Sequence, residues 1–299
     1  MPTKELTTKI IDVEMILRTA LKTPGIRVER ERFLRKHLSK RFIENDVLKA
    51  IEMNPAQAGI GADVIDRIAK SCINYETSRV TGLSAAAGIP GGWFMAATVP
   101  ADAIQFFAHV IRILQKLAYL YGWQELLNEN DDELDDETKN KIILFMGVMF
   151  GVNAANKALA HIAGIAALNV PKKLIQQALT KTAVFQIVRK IASAIGAKMT
   201  KAIFAKGVGK IIPVVGAIAS GGITLVFFKP MSNRLRKHLS TLPIASVDFY
   251  KESHKDDIIE VDFSDITDED YNLEDGIDTN RSFIIENGRI VKQAKIKKK

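Results

Sequence analysis

Asp102 and His109 have the side-chain types and the spacing that proton transfer or metal binding requires. They stand seven residues apart in a helical stretch. A period of 3.6 residues brings them back to nearly one azimuth, with Gln105 and Arg112 close to that line. A carboxylate one or two turns from an imidazole orients a general base or supplies two metal ligands. Two ligands do not complete a site, and the third contributor the sequence offers is His161, on another helical stretch with Asn153 and Asn156. The competing reading is that these groups are satisfied polar contacts tying helices together, because buried polar side chains nearly always find partners. The spacing by itself completes no metal site and implies no cofactor.

A second candidate is the loop Gly88-Ile-Pro90-Gly91-Gly92-Trp93. Backbone donors at Gly91 and Gly92 suit an anion, since glycine permits close approach. The alternative is that the glycines let Trp93 and Phe94 turn inward. No Gly-Lys-Ser/Thr follows, and no Gly-x-Gly-x-x-Gly occurs in the chain, so no nucleotide-binding loop is indicated. Nucleophilic catalysis has little behind it: Cys72 has no His nearby in sequence, and Ser84 lacks the glycine spacing of a nucleophile elbow.

These residues must be carried by helices, because apolar side chains recur at helical spacing almost throughout. Helices are expected over Ile10–Leu21, Ile26–Ile43, Ala62–Arg79, Pro100–Tyr121, Lys141–Val170 and Lys172–Lys206, with an apolar piece from Ile211 to Phe228. Pro24-Gly25, Asn54-Pro55 and Pro171 break them, and Gly122 is a natural stop. The acidic run Glu129 to Glu137 reads as a solvated loop. The fold class is all-α: a compact multi-helix bundle over residues 1–240. Residues 241–299 form an acidic, then basic appendage, read as partly disordered or as a small β-hairpin. Its pieces 258–263 and 282–291 suit strands, with Asn287-Gly288 as a turn.

Charge is zoned along the chain. The 110 residues between Glu137 and Asp248 contain no carboxylate but sixteen Lys and Arg. From Asp248 to Glu286 there are fourteen Asp and Glu against three cations. In the 26–43 stretch, Phe33, Leu34, Leu38 and Phe42 form a stripe, and Arg27, Arg30, Arg32, Arg35, Lys36, Lys40 and Arg41 cover the rest. That pattern suits either a membrane-surface helix or a solvated basic face over a core stripe. Nucleic acid is not the expected partner, because the basic zone has no Trp or Tyr between Trp123 and Tyr250 and no recognition motif. An anionic membrane surface is favoured, with Arg32, Arg35, Lys36 and Lys40 facing lipid. The acidic tail is a second partner for the same charge, docking on the chain's own basic body.

A spanning helix needs about 20 predominantly apolar residues. Ile211–Phe228 meets this marginally and contains Pro213, Gly216, Gly221 and Gly222, while Ile142–Val170 is interrupted by Lys157. Gly147-xxx-Gly151-xxx-Ala155 places small residues on one expected helical face, which permits close helix approach. Burial of these two segments as a hairpin in a bundle, reversible insertion, and constitutive spanning all remain open at this level.

The whole chain has 299 residues, 47% of them hydrophobic, and a formal net charge of +8, so a sizeable core is available and global disorder is excluded. Cys72 is the sole cysteine, which excludes an intramolecular disulfide and a Cys-based zinc site. Met1-Pro-Thr-Lys-Glu-Leu-Thr-Thr-Lys9 has no apolar signal region. A cytoplasmic setting, extending to the inner face of the cell membrane, is expected.

Gly88-Ile-Pro-Gly-Gly-Trp93, Thr98-Val-Pro-Ala-Asp102, Gln105-Phe-Phe-Ala-His109 and Gln115-Lys-Leu-Ala-Tyr119-Leu-Tyr121-Gly122-Trp123 together resemble the signature of the EcsC family. Ile212-Pro-Val-Val-Gly216 extends the likeness, which covers roughly residues 30 to 240. The resemblance implies a bacterial, cytoplasmic or membrane-associated protein, since the family's namesake is encoded beside the subunits of an ABC transporter. It implies no established biochemical activity. The expectation is therefore a non-enzymatic, peripherally or reversibly membrane-associated accessory of a membrane complex such as an ABC transporter. The alternatives are a soluble hydrolase or metal-dependent enzyme built on Asp102, His109 and His161, and a membrane-disrupting effector.

Overall fold

Helix-forming periodicity is realised through most of the described residues, and apolar stripes face the core. The computed structural model describes residues 13–87, 101–127, 135–168, 186–197, 215–252, 266–271, 281–286 and 289–295. Among these, α1 is Val13–Leu21, α2 Arg30–Leu38, α3 Glu44–Glu52, α4 Ala62–Ala87, α5 Ala101–Leu120, α6 Asp136–Met149 and α7 Asn153–Ala167. Helix α8 covers residues 186–197, and α9 is Val215–Leu239. The fold is a helical bundle with α5 at its centre, packed against α1, α2, α4, α6 and α9. The most extensive helix pairing is between α9 and α4.

In α1, Val13, Ile16, Leu17 and Ala20 are buried at the spacing of one helical face. Helix α5 buries nearly every side chain from Phe107 to Tyr121 and ends where expected. Gly122 has φ +98°, Trp123 N–H reaches back to the Ala118 carbonyl at 3.0 Å, and the turn closes the helix. A Cβ at this position would also lie 2.6 Å from the Ile244 carbonyl oxygen, so glycine is required twice over.

Three expected helices are corrected. The stretch from Ile26 to Ile43 is helical only over Arg30–Leu38. Its N-terminal part is held extended, because the Gln115 side chain accepts from Val28 N–H at 3.0 Å and donates to the Ile26 carbonyl at 2.9 Å. A turn follows Leu38, and Ile43, extended at ψ 157°, opens α3 instead of closing α2.

The Lys141–Val170 helix is in fact the hairpin α6–α7, turned at Gly151 with φ +69°. A Cβ on Gly147 would lie 2.5 Å from the Ala155 Cβ and 2.7 Å from Ile191 Cγ2. The small residues therefore face each other across the hairpin, with α8 closing on the same point, and do not line one continuous helix. The acidic run is not wholly a loop either: Asp135 accepts from Thr138 N–H at 2.6 Å and caps α6, with Asp136 and Glu137 in its first turn.

Finally, the apolar piece ending at Phe228 belongs to the longer α9, which continues through Pro230 to Leu239 and buries Phe228, Met231, Leu235 and Leu239. No helix among the described residues is long and apolar enough to cross a membrane.

Packing of the body runs past residue 240. Leu242 and Ile244 are buried, the turn Pro243–Ala245 sits on α7, and the Tyr250 hydroxyl accepts from Asn54 Nδ2 at 3.1 Å. Residues 281–286 and 289–295 pair as antiparallel strands. The expected strand over 258–263 and the turn at 287–288 lie outside the described residues.

Candidate functional site

Helix α4 presents Ala69, Cys72, Ile73, Glu76 and Val80 to the core, so its buried stripe contains one carboxylate. Helix α5 faces it with His109, Arg112 and Lys116 at i, i+3 and i+7, which helical geometry stacks on one side. Glu76 is fully buried and shared among all three. His109 Nδ1 is 3.0 Å from Glu76 Oε2, Lys116 Nζ donates to Oε1 at 2.6 Å, and Arg112 Nε stands 3.5 Å from the same oxygen.

Burial alone would push the Glu76 carboxyl up. The His109 hydrogen bond and the charges of Lys116 and Arg112 overcome it and hold the group at about 2. With Glu76 ionised, its carboxylate accepts from His109 Nδ1–H. Lys116 Nζ also sits 5.5 Å from the centre of the Tyr75 ring, and Tyr75 is exposed at the rim. Burial pushes the neighbouring Cys72 thiol up to about 11, so it stays protonated and unreactive at neutral pH.

The partner of His109 is thus Glu76. Asp102 lies in the first turn of α5, with its side chain outside what is described. His161 is half-buried on α7, which packs against α6 and two short 3-10 turns, whereas His109 faces α4. The loop of Gly88, Pro90, Gly91, Gly92 and Trp93 lies outside the described residues. Among the described residues no group of three His, Cys, Asp and Glu could hold a metal ion.

The basic residues divide into structural and free ones. Arg30, expected on the solvated face of α2, is buried instead. Its guanidinium donates to the carbonyls of Ala50, Ile51, Met53 and Trp123 at 2.5 to 3.3 Å, closing the open C-terminal end of α3. Desolvation by burial lowers its proton affinity. Arg234 likewise donates to the Met149 carbonyl at 2.7 Å at the end of α6, and Arg236 pairs with Asp66. Arg35 is half-exposed and bridges Glu31 and Glu44. Arg32, Lys36, Lys40 and Arg41 are exposed, and no carboxylate among the described residues engages them.

Next to Lys36, His37 is half-buried, with its proton affinity lowered by burial and then by Lys36 and Lys116. On the opposite charge, Asp270 of the acidic run bonds Lys157 of α7 at 3.0 Å, and Lys190 of α8 lies 5.0 Å over the Tyr271 ring.

No family model matches the chain, and neither the curated proteins nor the solved structures contain a match to it.

Proposed function

We propose that this is a non-enzymatic protein of the EcsC type that binds the anionic inner face of a bacterial cell membrane peripherally and supports a membrane complex there. The observation that supports the reading is the outer face of α2 and its following turn. Arg32, Lys36, Lys40 and Arg41 stand in solvent with no carboxylate partner among the described residues, and Ile43 beyond them is 69% exposed. A basic face followed by an exposed apolar side chain is the arrangement that combines attraction to anionic lipid with shallow insertion. At about 1 kcal/mol per basic residue near such a surface, four supply roughly 4 kcal/mol, enough for reversible binding. Arg35, already shared by two glutamates, contributes little to this face.

The hydrolase reading has less support, because His109 is bound into a charge cluster that closes the α4–α5 interface and its carboxylate is shared with two cations. The contact of Asp270 with Lys157 fits an acidic appendage that shields part of the basic body in solution.

The test is cosedimentation with vesicles rich in phosphatidylglycerol. Reversing Arg32, Lys36 and Lys40 to Glu lowers the bound fraction at least about tenfold while the melting temperature is retained, since these side chains are exposed and pair with no carboxylate among the described residues. Unchanged binding by the triple variant sinks the assignment of this face.

A further inference from the structure

Arg112 and Lys116 bring two positive charges to an interface where, among the described residues, the only facing carboxylate is Glu76, a surplus of at least one charge. Buried charge is normally matched, so a surplus of this kind is chemically unfinished. The Lys116 and Arg112 side chains are only 11% and 21% exposed, so bulk water solvates them poorly. Hydrogen bonding is unfinished as well. Arg112 uses Nε alone, at 3.5 Å, and its two terminal nitrogens make no hydrogen bond among the described residues. Among the described residues, His109 is engaged only at Nδ1.

The chain turn at Gly25, φ +72°, passes beside the guanidinium: a Cβ there would sit 3.6 Å from Arg112 Nη1. Exposed Tyr75 and Arg79 flank the cluster on α4, with Arg79 5.9 Å from the Tyr75 ring, and Lys36 of α2 adds charge from the next helix.

We infer that the α4–α5 face is a binding site for a phosphate monoester group, gripped by the free edge of Arg112 and flanked by Lys116 and Arg79. A guanidinium edge presents two parallel N–H donors to two oxygens of a tetrahedral oxyanion, a geometry that a lone ammonium cannot supply. Glu76 does not compete for that edge, because it is occupied by Nε, Nζ and Nδ1. It sets the orientation of Arg112 and Lys116 and makes the site selective, since a ligand must outweigh its charge. The group can belong to a soluble phosphate or to a phospholipid headgroup. Lys36 adds charge to both, but the basic face of α2 needs only diffuse negative charge, whereas this site grips one oxyanion through Arg112.

The experiment has two arms, each run on the full chain and on Arg112→Gln. Isothermal titration with inorganic phosphate is expected to show saturable binding to the native protein, weakened about tenfold or more in the variant. Glu76→Gln, where it folds, is expected to bind phosphate more tightly, the opposite sign. Flotation with vesicles of phosphatidic acid, compared with phosphatidylglycerol at matched charge, identifies the source. A preference for phosphatidic acid that Arg112→Gln abolishes makes the ligand a headgroup. Phosphate binding without that preference makes it a soluble ester. Absence of phosphate binding by the native protein, or equal binding by Arg112→Gln, overturns the site. Neither result bears on α2, whose binding is read with phosphatidylglycerol alone.

Discussion

Replacing Glu76 by Ala lowers the free energy of unfolding by about 3 to 5 kcal/mol, because Lys116 and Arg112 are then left in a poorly solvated interface with no counter-charge. Denaturant unfolding of the two proteins measures this directly. The loss is specific to the missing charge, so adding Lys116→Met to Glu76→Leu restores part of it, Arg112 still lacking its counter-charge, and the double-mutant cycle gives a large coupling. Independent single effects that simply add would contradict the shared-carboxylate geometry.

The same group dictates an acid dependence. Glu76 is held down from an ordinary value of 4.5 to about 2, so its contribution is fully present above about 4.5 and is lost as pH falls from there through about 2. The shift corresponds to about 3 kcal/mol. Stability of the native protein therefore falls between pH 4.5 and 2 more steeply than that of Glu76→Gln.

Gly147→Val is the second large effect. In an exposed helix a side chain would improve on glycine by up to about 1 kcal/mol. Here a Cβ meets Ala155 Cβ at 2.5 Å and Ile191 Cγ2 at 2.7 Å, and the backbones of α6, α7 and α8 cannot all retain their places. Overpacking wins, and the variant loses about 3 kcal/mol or more. Combining the milder Gly147→Ala with Ala155→Gly recovers part of the loss of Gly147→Ala alone, since it removes the nearer of the two obstacles. Thermal melts of the single and double variants check both statements. Full tolerance of Gly147→Val would mean that the α6–α7 hairpin is not closed at this point.

Local signals in the sequence were legible where the chain itself decides the structure. The stripe of α1 and the stop at Gly122 follow from periodicity and from a positive φ that glycine accepts freely. The basic face was legible too, since Arg32 and Lys36 on α2 and Lys40 in the turn after it are exposed. What periodicity did not reveal was decided by residues distant in the chain. Gln115 of α5 holds Ile26 and Val28 extended, and nothing near Ile26 announces it. The break at Gly151 was hidden in a run whose composition favours one long helix, and the close approach at Gly147 appears only once the run folds back.

The candidate site shows the same division. His109, Arg112 and Lys116 share an α5 face by spacing alone, but their partner depends on how α4 is registered against α5. One clue was present: Glu76 and Arg30 each fall on the apolar stripe of their own helix, where a charge must be matched. His109 finds a carboxylate on a neighbouring helix, Glu76, which spacing within α5 does not announce.

The central claim, peripheral electrostatic binding to an anionic membrane, is tested most directly by flotation of the native protein with anionic and with neutral vesicles, at low and high salt and after a carbonate wash. The account predicts flotation with anionic vesicles only, falling steeply as salt is raised and removed by carbonate. Failure to float with anionic vesicles at low salt would contradict it, and so would equal flotation with neutral ones.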